Sequence, residues 1–130
     1  MNNDVMTRFI DNVRTRVEDW SNLTTFIDTL NIESDESRAV VYFEDSNPFT
    51  IDPRGKNSYF IINIALAFNA VDFTNHYSEV NAQQTAFNVA YKTMTEPIAP
   101  STMAEMVAVD CTTVRANRLY TVEMKFRFVL

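Results

Sequence analysis

A chain of 130 residues has the length of one ordinary domain and can bury its own core, while a net charge of -6 opposes general attachment to a phosphate backbone. The single glycine, Gly55, excludes the dinucleotide-binding G-x-G-x-x-G, the phosphate-cradling G-x-x-x-x-G-K-S/T and the G-x-S-x-G nucleophile elbow, all of which need several glycines for close backbone approach. One cysteine, Cys111, and one histidine, His76, exclude an internal disulfide and any metal site built on several imidazoles.

The first predicted element is a helix over residues 3–20. Met6, Phe9, Ile10, Val13, Val17 and Trp20 recur at spacings of three and four, and Asn2, Asn3 and Asp4 supply capping groups and a favourable charge at its start. The next stretch, SNLTTFIDTLNI, fits a helical turn through Leu23, Ile27 and Leu30 and equally fits a short strand through Thr24 to Ile27. The run RAVVYFE, Arg38 to Glu44, is β-branched and aromatic enough for a strand buried on both faces.

The segment Asp45 to Asn57 reads as an exposed loop. Asp52-Pro53-Arg54-Gly55 has the residue order of a type I turn. In SYFIINIALAFNAV, one parity carries Phe60, Ile62, Ile64, Leu66 and Phe68, and the other carries Tyr59, Ile61, Asn63, Ala65 and Ala67, a pattern that allows cover on both faces.

Helical spacing returns over residues 78–95, with Val80, Phe87, Ala90, Tyr91 and Met94 as the expected core stripe and Pro97 and Pro100 beyond its end. Two further strands, MAEMVAVDCTT and RLYTVEMKFRFVL, joined at VRAN, form an expected antiparallel hairpin. In the last, Tyr120, Val122, Met124, Phe126, Phe128 and Leu130 alternate with Thr121, Glu123, Lys125 and Arg127, which predicts an apolar face under the helices and a polar outer face. Helix, two strands, helix, two strands points to one α+β domain over 1–130: a mainly antiparallel sheet with two amphipathic helices packed on one face.

Catalytic equipment is sparse. His76, in FTNHYSEV, is expected at the surface or as a cap just before the second helix, and the acidic run Glu33 to Ser37 as a solvated loop. Glu44 and Asp45 end a strand with no marked carboxylate partner, and Cys111 lies in a strand pattern as an inert thiol. No catalytic, metal or cofactor residues are assigned. The N-terminal MNNDVMTRFI lacks the basic start of a signal peptide, and no apolar run approaches the roughly 20 residues of a membrane span, so a soluble chain without membrane contact is expected.

The N-terminal amphipathic helix, the strand AVVYFED, the long connecting loop, the strand SYFIINIALAF, the helix NAQQTAFNVAYKTM and the final hairpin ending on EMKFRFVL together resemble the tail terminator and related neck proteins of tailed bacteriophages. The resemblance covers nearly the whole chain and rests on length, element order and hydrophobic pattern, without a diagnostic motif. It implies a non-enzymatic virion protein that forms a hexameric ring with itself, caps the tail tube protein and meets a head-side connector or stopper. Head-tail connector and tail completion protein are the neighbouring roles, and a small ligand-binding or adaptor domain is the reading from another class.

DNA would enter only as passage through the lumen, which an acidic protein suits. No single residue is carried over from the family. The candidate partner contacts are instead read from the residues: Phe49, Ile51, Arg54 and Lys56 in the loop, and Glu123, Lys125 and Arg127 on the outer strand face. Phe49 and Ile51 stand evenly between a partner site and a return onto the core.

Overall fold

The computed structural model describes residues 3–27, 36–43, 49–51, 58–69, 76–99, 102–106, 112–116 and 119–129. Within them, helix α1 spans Asn3–Ser21 and α2 spans His76–Thr95. Seven strands form one sheet: β1 Thr25–Ile27, β2 Arg38–Phe43, β3 Phe49–Ile51, β4 Ser58–Asn69, β5 Met103–Met106, β6 Thr112–Ala116 and β7 Leu119–Val129. The fold is α+β, with every pairing antiparallel except that of β1 with β2.

Two long strands organise the sheet. β4 and β7 lie side by side in antiparallel register from Tyr59 opposite Val129 to Asn69 opposite Leu119. Along the other edge of β4, β2 pairs with Arg38 opposite Ala67 through Phe43 opposite Ile62, and β3 takes the positions from Ser58 to Phe60. Along the free edge of β7, β6 pairs with residues 119–123 and β5 with residues 126–129. The segment MAEMVAVDCTT is therefore two strands and not one, and VRA belongs to β6 instead of the turn. Phe49–Ile51 is a paired strand where an exposed loop was expected. Thr50 faces Tyr59 in register, and those backbone groups exchange ladder hydrogen bonds that a loop would leave to water. The ambiguous stretch after α1 resolves as strand, because Thr25, Phe26 and Ile27 pair in parallel with Ala39, Val40 and Val41.

Both helices lie on one face. α1 packs over β1 and β2, and α2 over β5 and β7. In β7 every even residue from Tyr120 to Phe128 is buried and every odd one is half-exposed, the alternation that the pleat imposes when one face meets a core. Phe60 and Phe128 stand opposite in register with rings stacked at 5.5 Å, and Phe9 of α1 meets both edge-on at 4.9 and 5.2 Å. Each fully buried ring stabilises the fold by roughly 1.5–3 kcal/mol through apolar burial. No described helix packs on the other side of β4, yet Val40, Asn63 and Ala67 are buried there too, so the middle of the sheet is covered on both faces.

α1 stops without glycine. Asn22 adopts φ 59°, and its amide donates to the Glu18 carbonyl at 2.9 Å, the left-handed helix cap that asparagine tolerates best after glycine. The Ser21 hydroxyl donates to the Val17 carbonyl and accepts from the Leu23 amide, fixing the exit toward β1. Across the helix pair, Arg16 Nη1 donates to the Pro97 carbonyl at 2.6 Å, tying α1 to the chain just beyond α2.

The stripe expected for α2 is corrected. Ala82, Ala86, Val89, Ala90 and Thr93 form its buried face, and Met94 is half-buried. Of the expected stripe, Val80, Phe87 and Tyr91 are exposed. Small side chains let the helix approach the bulky row of β7, and large ones at those positions would hold it off.

Candidate interaction surfaces

The open face of the sheet is the first surface. Its residues follow from the register: Arg38, Val40 and Tyr42 of β2; Tyr59, Ile61, Asn63, Ala65 and Ala67 of β4; Thr121, Glu123, Lys125, Arg127 and Val129 of β7. Phe26 and Met103 stand at its two margins, with Met103 exposed to 55%.

Polar side chains cross this face in a defined way. Arg127 forms an ion pair with Glu105, its direct partner on β5, and its guanidinium lies 5.5 Å from the centre of the Tyr59 ring. The Tyr42 hydroxyl donates to Glu123 Oε1 at 2.5 Å. Asn63, between Tyr42 and Lys125 in register, is only 4% exposed although no described helix lies over it. The face thus presents aliphatic, aromatic and charged groups in rows held by cross-strand pairs.

The second surface is on α2. Tyr77, Val80, Gln84, Phe87 and Tyr91 recur at spacings of three and four along one line of the helix, and all are exposed. The rings of Phe87 and Tyr91 stack at 6.5 Å, one turn apart. From Val80 to Tyr91 the helix carries no charged residue. Beside this line an apolar groove of about 480 Å³ runs between α2 and the sheet, walled by Phe87, Tyr91 and Met94 on one side and Met106, Val122 and Met124 on the other. Gln83 Nε2 donates to the Tyr120 hydroxyl at 3.0 Å along the same side of the helix. At the C-terminal turn the Lys92 ammonium meets Glu96 at 2.9 Å, and that carboxylate raises the lysine pKa above its ordinary value.

Of the residues singled out in the sequence, Glu123, Lys125 and Arg127 share the open sheet face as expected. Phe49 and Ile51 lie in β3, opposite Phe60 and Ser58. His76 is the first residue of α2 and not a residue ahead of it. Arg54, Lys56, Glu44, Asp45 and Cys111 lie outside the described residues. Among the described residues, no group of three or more histidine, cysteine or acidic side chains could hold a metal ion, and no helix is long and apolar enough to cross a membrane.

The exposed α2 line is what sequence reading missed. Its signal was the uncharged run itself, two interleaved stripes on one helix where one suffices for a core.

No family model matches the chain, and no curated protein does. Among solved structures, one protein that carries no functional description matches 99% of this chain and 95% of its own at a TM-score of 0.54 and 10% identity. At that identity the likeness concerns the fold alone.

Proposed function

We propose that this chain is a structural subunit of the neck of a tailed phage, a terminator that assembles as a ring, seats on the tail tube protein and meets the head-side connector. The observation that carries this reading is the open sheet face. Two central strands of 12 and 11 residues turn one side away from both described helices, and the half-exposed Tyr59, Ile61, Glu123, Lys125 and Arg127 lie along it. A sheet side of that length, with apolar residues between paired charges, matches the mixed character of protein–protein contacts. Element order along the chain supports the family resemblance. The acidic balance of -6 supports a lumen through which DNA passes without being held.

The test is direct. Light-scattering mass and negative-stain images of the chain mixed with tail tubes should show rings, expected as hexamers, seated at the tube end. A protein that neither forms rings nor binds tubes at any concentration overturns the reading. Rings that bind the portal side but never a tube would transfer the chain to the head-tail connector role.

A further inference from the structure

We infer that a second copy of this chain packs against the exposed line of α2, antiparallel and about a two-fold axis at Gln84. This contact goes beyond the ring reading, because a two-fold contact closes on a pair and cannot by itself build a six-membered ring.

The geometry of the line carries the inference. Tyr77, Val80, Gln84, Phe87 and Tyr91 follow the three-four spacing of a helix seam, outside the face that the chain's own core uses. The line is also symmetric in character about its middle. In an antiparallel pair centred at Gln84, Tyr77 is level with Tyr91 of the other copy, Val80 packs beside Phe87 one residue out of level, and Gln84 meets its own equivalent. A glutamine amide both donates and accepts, so two of them satisfy each other. A polar residue at one seam position is also the device that fixes register in helix pairs. On one flank, Asn81 of one copy falls beside Asn88 of the other, and both are exposed amides.

Charge selects the occupant. Two copies at -6 each repel where their acidic surfaces meet, so a strip without charge lowers the cost of pairing, and the exposed line from Val80 to Tyr91 carries none. A nucleic acid or an anionic lipid surface would call for lysine and arginine along the line.

Area sets the strength. Tyr77, Phe87 and Tyr91, exposed to 76%, 69% and 54%, leave roughly 300–500 Å² of ring surface on each copy by the usual size of aromatic side chains. A standard stable interface buries about 800 Å² per partner. With Val80 added, the pair has the size of weak, transient contacts, which bury less than about 1,200 Å² in total. The expected dimer therefore dissociates on dilution.

The experiment uses the full chain in sedimentation velocity over a wide concentration range. Wild type should pass from monomer to dimer, and Phe87→Glu and Tyr91→Glu should remain monomeric with unchanged circular dichroism, since both side chains are largely in solvent. In a Cys111→Ser background, Gln84→Cys should oxidise to a covalent dimer and Thr95→Cys should not. A wild type that stays monomeric, a Phe87→Glu chain that still dimerises, or preferential cross-linking from position 95 each overturns the inference. Loss of ring images with the dimer intact would remove the neck reading alone. Rings from a chain that shows no two-fold cross-link would remove this inference alone.

Discussion

Tyr42 and Glu123 are joined over the top of β4: the phenol of β2 donates to the carboxylate of β7, two strands away, at 2.5 Å. Tyr42 is level with Asn63 and Glu123 with Ala65, so the bond runs diagonally above the small alanine side chain. It fastens three strands on a face that no described helix braces. Tyr42→Phe removes the donor and keeps the ring, and should lower stability by about 0.5–1.5 kcal/mol. A double-mutant cycle with Glu123→Ala, read by urea denaturation, should give a clear coupling energy. Strictly additive effects would mean that the pair contributes nothing in solution.

The Phe9, Phe60 and Phe128 cluster should dominate core stability. Phe128 is 1% exposed and touches both other rings, so Phe128→Ala should cost about 3–5 kcal/mol once its cavity is counted. A domain of this size has only about 5–15 kcal/mol in total. Deleting Lys125 to Leu130 removes the partner of β5 and of half of β4 and should abolish cooperative unfolding. A deleted chain with a native urea transition would contradict the sheet order itself.

On the open face the opposite is expected. Arg127 and Glu105 are about half-exposed, and exposed ion pairs contribute about 0–1 kcal/mol. Arg127→Ala and Lys125→Ala should therefore fold with only small losses in denaturation experiments. On the proposed neck reading, their effect should appear in binding to tail tubes or in ring formation. Loss of folding in either variant would show that the face is structural.

α2 offers a paired contrast. Ala82 is 4% exposed and Phe87 69%. Ala82→Leu overfills the helix–sheet contact and should destabilise by about 1–3 kcal/mol. Phe87→Ala, measured at concentrations where the chain is monomeric, should change stability far less. The reverse ranking would place the aromatic stripe back in the core.

The α1 cap provides a backbone test. Asn22 at φ 59° tolerates glycine, and a β-branched residue there should cost about 1–2 kcal/mol. Thermal unfolding of Asn22→Gly and Asn22→Val should therefore separate, with only the valine variant melting well below wild type. Equal melting would mean that the helix end rearranges.

What the sequence determined by itself is clearest where one periodicity admits one solution. The alternation from Tyr120 to Phe128 assigned both faces of β7, because a strand that meets a core on one side has no other way to bury every second residue. The stripe of Phe9, Ile10, Val13 and Val17 placed α1 for the same reason. In α2 two stripes compete, and the expected stripe took Phe87 and Tyr91 where the structure buries Ala82, Ala86 and Val89. Only the distance between helix and sheet decides that contest, since a row already filled by Tyr120, Val122 and Met124 leaves room for small side chains alone. The same holds for strand partners. That Phe26 pairs in parallel with Val40, and Thr50 with Tyr59, depends on which edges β4 and β2 leave open after the long strands have met, a property of the assembled sheet that no local run of residues encodes.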